Sequence, residues 1–189
     1  MGTCEGERMD EHALVGRAQA GNAAALTQLF AAYYGPITSY LYQLVLDREV
    51  AGDLAQDTFL RAYRALDHAD PALPFRPWLY RIATNVAHNY HRRRRLLRWL
   101  PLDIIAHRAS SGAPIAEQFG EHEHVVSALQ CIGPTYASAI LLHHHQGLSL
   151  AETAAVLGLT PNATKVRLFR ARKAFAQAYI ALSGRQEES

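Results

Sequence analysis

"SLAETAAVLGLTPNATKVRLFRARKAF", residues 149–175, reads as two helices joined by a tight turn. Ser149 and Glu152 have capping-box spacing: the hydroxyl accepts from an early backbone N–H while the carboxylate reaches back to the cap's own N–H. Gly158 suits a left-handed turn, Thr160 the next cap, and Pro161 a first helical position, where its missing N–H removes no bond. In the second helix Thr164, Leu168, Ala171 and Phe175 recur at four, three and four residues and predict an inward stripe. Lys165, Phe169 and Arg172 share the exposed face, bordered by Val166, Arg170 and Lys173. A short helix, a glycine turn and a basic second helix is the layout of a helix-turn-helix, whose second helix enters the major groove. There arginine and lysine pair with phosphate or with the O6/N7 edge of guanine. A plain helical hairpin with a solvated basic face shares the periodicity, but here cap, turn and charge all agree.

Upstream the pattern stays helical, with no strand signature. Helices are predicted at about 121–132 and 135–146, and before them "ASSGAPIAEQFG" (109–120) reads as a linker. The N-terminal half predicts a short helix at 11–20 ending at Gly21-Asn22, then a longer one from Ala23 to about Leu46 that Gly35-Pro36 should kink or split. A third helix, from about Glu49 to Leu66, buries Ala55, Phe59, Ala62 and Leu66 and turns Asp53, Gln56, Asp57, Leu60 and Arg64 outward. "DHADPALP" (67–74) is a loop by its prolines and aspartates. After it, "FRPWLYRIATNVAHNYHRRRR" (75–95) is a helix without an acid that ends in four arginines. Phe75, Leu79, Ile82 and Val86 are its core stripe, and Arg81, Asn85, His88 and Arg92 form a polar stripe. The expected architecture is all-α: two small helical domains, residues 10–98 and 121–183, joined by a flexible linker at 99–120, the second being the helix-turn-helix.

The charge distribution narrows the function. The formal net charge is only +2, yet residues 71–102 hold seven arginines and no acid, and residues 153–186 are also free of acids. Two basic patches on a nearly neutral chain point to two contacts with one polyanion, nucleic acid first. No apolar run approaches the length of a membrane span, and "MGTCEGERMDEH" lacks the apolar centre of a signal peptide, so a cytoplasmic protein without membrane contact is expected. Cys4 and Cys131 make neither a CxxC pair nor a disulfide framework. Without a convergent carboxylate pair, nucleophile motif or phosphate loop, neither an enzyme nor a cofactor is expected. His143, His144 and His145 are consecutive, about 100° apart on a helix, and so cannot converge on one metal ion.

These blocks carry a resemblance. "LSLAETAAVLGLTPNATKVRLFRARKAF" resembles the C-terminal DNA-binding domain of bacterial sigma factors of the extracytoplasmic-function (ECF) type. "DLAQDTFLRAYRAL" (53–66), followed by the arginine-rich helix, looks like that family's other conserved domain, in the same order. The resemblance implies a non-enzymatic subunit that binds core RNA polymerase, at the clamp of the largest subunit and the flap of the second-largest. It also implies a subunit that directs the polymerase to −35 and −10 promoter elements and helps open the duplex. An anti-sigma factor commonly restrains such proteins.

By position, Asp53, Gln56, Asp57, Leu60 and Arg64 then match the clamp-docking helix. Asn85 matches a pocket residue that reads a flipped −10 base, with Tyr80, His88 and the 67–75 loop as neighbours and Arg81 on the same −10 surface; His145 stands where the family is usually apolar, which implies a place in the packing. Arg92, Arg93, Arg94 and Arg95 become phosphate clamps. Trp78 keeps two readings, a wedge at the edge of the opening duplex or a ring of the core. Thr160, Lys165, Val166, Arg167, Phe169, Arg170, Arg172 and Lys173 fall on the −35 reader, with Lys165 and Arg170 the base-edge candidates. Two departures bear on base preference: Val166 stands where a small polar residue is usual, and the 67–74 loop has two prolines and no glycine. The alternative is a helix-turn-helix regulator acting without the polymerase clamp, which leaves residues 53–66 and the arginine-rich helix unexplained.

Overall fold

The computed structural model describes residues 4–69, 74–97 and 120–183, which form eight α-helices and no strand. The first, α1 (Cys4–Gln19), starts earlier than the apolar pattern indicates. Its opening turns are acidic rather than apolar, a composition that favours a helix N-terminus through the dipole but leaves no stripe to read. Gly21 takes φ 84°, and Asn22 caps α2 (Ala23–Val45) by accepting from the Ala25 N–H at 3.0 Å. Pro36 does not split α2. The ring removes the N–H that the Ala32 carbonyl would receive, but Ala32, Gly35 and Pro36 are all exposed, so water can take that place. On the opposite side Ile37, Tyr40, Leu41 and Leu44 hold the helix to the core.

Asp47 caps α3 (Arg48–Ala65), whose small buried residues Ala51, Ala55 and Ala62 allow close approach to α2. Phe59 fills the remaining space, its ring 5.0 Å from that of Phe30. A 3-10 turn at Leu66–His68 follows; the rest of the predicted loop, 70–73, lies outside the described residues, as do the linker residues 98–119. Then α4 (Phe75–Leu97) buries Phe75, Leu79, Ala83, Val86 and Ala87, with Ile82 half-buried at the edge. The buried Thr84 hydroxyl donates to the Tyr80 carbonyl at 2.7 Å, so the Tyr40 hydroxyl, 2.8 Å away, is the donor between those two side chains. Tyr40 thereby satisfies its one polar atom deep in the core.

In the second domain α5 (Gly120–Cys131) leads through Gly133, at φ 77°, to α6 (Pro134–Ile140). The single helix expected at 135–146 instead ends as a π-helical turn at Leu141–His145, closed by the Gln146 N–H on the Leu141 carbonyl. One extra residue per turn changes no hydropathy pattern, so periodicity cannot register it. The capping chemistry matches the sequence: Ser149 Oγ accepts from the Glu152 N–H, and Glu152 Oε2 accepts from the Ser149 N–H, opening α7 (Leu150–Leu157). Such a cap contributes about 1 kcal/mol. Gly158 is left-handed at φ 65°, Thr160 caps α8 (Pro161–Ser183), and Thr164, Leu168 and Ala171 are buried; Phe175 is half-buried.

The two domains lie against each other. The first-domain helix α4 meets α7 and α6, while α2 touches α5 and α6. Leu129, Leu142, Leu148 and Val156 join the same apolar cluster as Leu41, Leu79 and Tyr80, so the core continues across the seam.

Candidate polymerase and nucleic-acid interfaces

On α3 the 3–4 residue spacing places Asp53, Gln56, Leu60 and Arg64 outward and exposed, with Asp57 partly covered. Asp57 Oδ1 accepts from Arg61 Nε at 2.8 Å, an exposed pair that contributes little to stability. Two rings complete this face that sequence reasoning missed. Tyr63 is 59% exposed and Leu60 49%, and Tyr34, stacked on Phe59 at 5.8 Å, is also exposed. Tyr63 was findable, standing three residues after Leu60 on the same face; Tyr34 was not, because only the tertiary contact of α2 with α3 brings it there. An acidic, amidic and aromatic surface of this kind suits a protein partner better than a phosphate backbone.

On α4 the exposed residues include Arg81, Asn85, Arg92 to Arg95 and the apolar Leu96. Tyr80 departs from its expected place. It is 0% exposed, its ring stands edge-on to Tyr40 at 5.3 Å, and its hydroxyl donates to Gln146 Oε1 at 2.5 Å. His88 departs too, half-buried beneath α6. Its Nε2 is 3.3 Å from the Pro134 carbonyl and 3.2 Å from Ser138 Oγ, whose own proton goes to the Thr135 carbonyl. The imidazole therefore carries its hydrogen on Nε2. The second domain covers this flank of the helix at His88 and reaches the Tyr80 hydroxyl through Gln146, while the Tyr80 ring packs on Tyr40 of its own domain. Trp78 is half-buried with its ring 5.3 Å from Phe75, at the rim of the core.

Burial lowers the pKa of His88, opposed in part by the Pro134 carbonyl, with the Arg167 charge adding a smaller depression. His91 is lowered by burial, opposed by the Leu44 carbonyl, with His88 and Arg94 adding to the depression. Both sit in a cleft of about 650 Å³ shared with Arg92, Arg94, Arg95, Pro134 and Thr135. Because the covered state binds protons more weakly, domain contact is stable above the ordinary histidine value of 6.5 and weakens as pH falls below it. Amide exchange over residues 86–91 and 134–138, corrected for intrinsic rates, is expected to speed up between about pH 7.5 and 5.5. His88→Gln should flatten that dependence; an unchanged profile in the variant would remove His88 from the cause.

On α8, Lys165, Val166, Phe169, Arg170, Arg172 and Lys173 are exposed, as is Thr160 at the cap, and Arg167 is half-buried. Phe169, 66% exposed, stands three residues from exposed Val166, so the two form an apolar spot within the basic face. A groove of about 620 Å³ runs beside Val166, Arg167 and Arg170, walled by Tyr136, Thr135 and Asn162, none of which the sequence singled out. His145 is exposed rather than packed, its Nε2 3.1 Å from the Gln43 amide, while His143 Nδ1 meets the Leu148 carbonyl at 2.8 Å. His144 stands edge-on to His143 at 4.8 Å. Among the described residues no cluster of three metal-ligating side chains occurs, and no helix is long and apolar enough to cross a membrane.

Comparison with known proteins follows this division of the chain. Residues 29–96 match the family described as Sigma-70 region 2, and residues 122–175 match Sigma-70, region 4. The chain belongs to the ECF-type RNA polymerase sigma factors. It is similar to the RNA polymerase sigma factor CnrH of Cupriavidus metallidurans, 32% identical over 84% of this chain and 88% of that one. It is 30% identical to CarQ of Myxococcus xanthus over 79% of this chain and 86% of that one. With the ECF sigma-E factor of Escherichia coli it shares 31% identity over 89% of this chain and 93% of the other.

Among solved structures, CnrH in complex with the cytosolic domain of CnrY superposes with a TM-score of 0.71 at 30% identity, over 91% of this chain and 98% of CnrH. The sigma factor RpoE of Bartonella quintana, in complex with the anti-sigma factor NepR, has a TM-score of 0.62 at 22% identity, over 80% of this chain and 94% of that one, and shares the fold. This ECF sigma factor accordingly serves polymerase-associated promoter recognition and transcription initiation, the work of a class of non-catalytic initiation factors.

Proposed function

We propose that this ECF sigma factor divides its work among three helix faces: α3 docks on the polymerase clamp, α4 holds and reads the separated −10 strand, and α8 reads the −35 duplex. The single observation that carries this reading is the separation of charge by face. The acidic and aromatic face of α3 lies apart from Asn85 and the exposed arginines of α4, and from Lys165, Arg170, Arg172 and Lys173 on α8. Phosphate contacts give affinity, and base-edge contacts give reading. Asn85 supplies an amide that can pair with a flipped base; Lys165 and Arg170 supply donors for a major-groove edge. In this assignment residues 10–98 form the polymerase and −10 unit, residues 99–120 the connection, and residues 121–183 the −35 unit, which also meets the flap. The factor works in the cytoplasm, where polymerase and promoter are. A protein partner of the anti-sigma kind is also part of the proposal, because CnrH superposes on this chain in a complex with the cytosolic domain of CnrY.

Run-off transcription with purified core polymerase on fragmented genomic DNA tests the whole reading. Discrete transcripts that require the factor are expected, their start sites sharing two upstream elements. Transcripts independent of the factor, or none on any template, would overturn it.

A further inference from the structure

We propose that Val166 and Phe169 read thymine methyl groups in the −35 duplex while Asn162 pairs with a neighbouring adenine, so that this factor selects a run of A·T pairs. The inference rests on the assignment of α8 to the −35 element and deepens it. At about 100° per residue, Asn162, Val166, Phe169 and Lys173 fall within about 60° of one another around α8. That sector lies opposite the buried Thr164, Leu168 and Ala171, so it is the middle of the outer face. All four residues are exposed, Val166 at 49% and Phe169 at 66%. By the same angles Lys165 and Arg172 border the sector on one side and Arg170 on the other. Apart from Lys173 at its far end, the cations edge the face and an apolar pair holds its centre.

A helix in the major groove meets phosphates along both walls and base edges on the floor. The bordering cations suit the walls and the outer edges. What faces Val166 and Phe169 must do without a hydrogen bond, because neither side chain offers a donor or an acceptor. A guanine or adenine edge set there gives up water and gains no partner. The thymine C5-methyl is the apolar group of the major groove, and its burial is favourable. Asn162, one turn earlier on the same line, carries the amide that pairs with adenine N6 and N7. Asn162 and Phe169 are about 10.5 Å apart along the helix axis. With about 3.4 Å between successive bases, the line spans about three base pairs. Charge favours the duplex over a protein as the occupant. No acidic residue stands on α8, and a duplex brings polyanionic walls and a line of methyl groups together.

The test uses core polymerase carrying the full-length factor. Fragments that it selects from genomic DNA define the −35 element, in which a run of about three A·T pairs is expected. Deoxyuridine, which is thymidine without the methyl, then replaces each thymine of that element in turn. Losing the methyl that faces Val166 should weaken binding about fourfold, the effect of one buried carbon group. Val166→Ser should make thymine and uracil equal at that position, and Phe169→Ala should do so at the neighbouring one. Where cytosine replaces the thymine facing Val166, its 5-methyl form should recover about fourfold over cytosine itself. Both variants change exposed side chains, so circular dichroism and melting temperature should match those of the natural chain.

Thymine and uracil bound alike at every position by the natural chain overturn the proposal and leave the apolar pair to a protein partner. A uracil penalty that persists unchanged in both Val166→Ser and Phe169→Ala overturns it as well. Either result leaves α8 as the −35 reader, provided that scrambling the whole element lowers binding. If scrambling has no effect, or if no fragment is selected, the assignment of α8 falls and takes the proposal with it.

Discussion

Replacing Arg92, Arg93, Arg94 and Arg95 together by alanine is expected to weaken binding of the polymerase-bound factor to a −10 fork by about 200-fold at about 0.15 M salt. The four side chains are exposed at the end of α4, and none has an ion pair among the described residues. Partial negative charge at the helix C-terminus favours them slightly, but among the described residues no carboxylate pairs with them. A polyanion does. Each phosphate contact to a single strand contributes about 0.7 to the slope of log affinity against log salt. Four contacts amount to about 2.8. Between about 1 M salt, where such contacts no longer differ, and about 0.15 M, that slope gives the expected factor.

The measurement is fluorescence anisotropy at five or six salt concentrations. The variant's line should be shallower, and its melting temperature unchanged or slightly higher, because repulsion is relieved. Asn85→Ala serves as the contrast. It should relax base preference, about 1–3 kcal/mol at one position, and leave the salt slope alone. Parallel salt slopes for the arginine variant and the natural chain would show that these arginines only solubilise the helix.

The contrast between these residues and Tyr80 shows where sequence reasoning works. The turn from α7 to α8 is fixed by chemistry within thirteen residues: Ser149 with Glu152, Gly158 at φ 65°, Thr160 as a cap and Pro161 behind it. Every one of those features follows from local bonding, so each was legible. The inward stripe of α3 was legible for the same reason, since Ala55, Phe59, Ala62 and Leu66 repeat on a helical period and are all buried.

Tyr80 and His88 belong to another kind of problem. Their partners Gln146, Pro134 and Ser138 lie some fifty to seventy residues away, and no period or spacing in the chain encodes the contact. Reading α4 alone gives a polar flank facing solvent; the second domain then covers part of it. The π-helical turn escapes the pattern as well, because an inserted residue in a helix alters direction without altering composition. The candidate interfaces were thus legible as faces of single helices. Their closure against each other was not.

The largest loss is expected from Asp53→Lys with Asp57→Lys, which should reduce affinity for core RNA polymerase at least 100-fold and abolish factor-dependent transcription. The two carboxylates stand four residues apart on the outer face of α3, beside exposed Gln56 and Leu60. Neither holds up the fold. Asp47 provides the N-cap and Glu49 the acid of the first turn, both upstream. Asp57 has only its exposed pair with Arg61, and i,i+4 pairs of that kind contribute about 0.3–0.5 kcal/mol. The double variant should therefore keep its melting temperature within a few degrees.

At a docking surface the reckoning changes. A reversed charge meets a partner group of its own sign and costs several kcal/mol, while every 1.4 kcal/mol is about tenfold in affinity. Two reversals comfortably reach the expected factor. Binding of the free variant to −35 duplex DNA should be unaffected, because Lys165, Arg170 and Arg172 lie on α8, in the other domain. That pairing of results separates a polymerase-dependent sigma factor from a regulator that needs only its helix-turn-helix. Binding of core polymerase at natural strength, or parallel loss of polymerase and duplex binding, would remove α3 from the docking surface. The exposed rings supply the finer test: Tyr63→Ala should weaken docking by about tenfold, as truncating an aromatic anchor does, whereas an acidic face acting through charge alone would not register its loss.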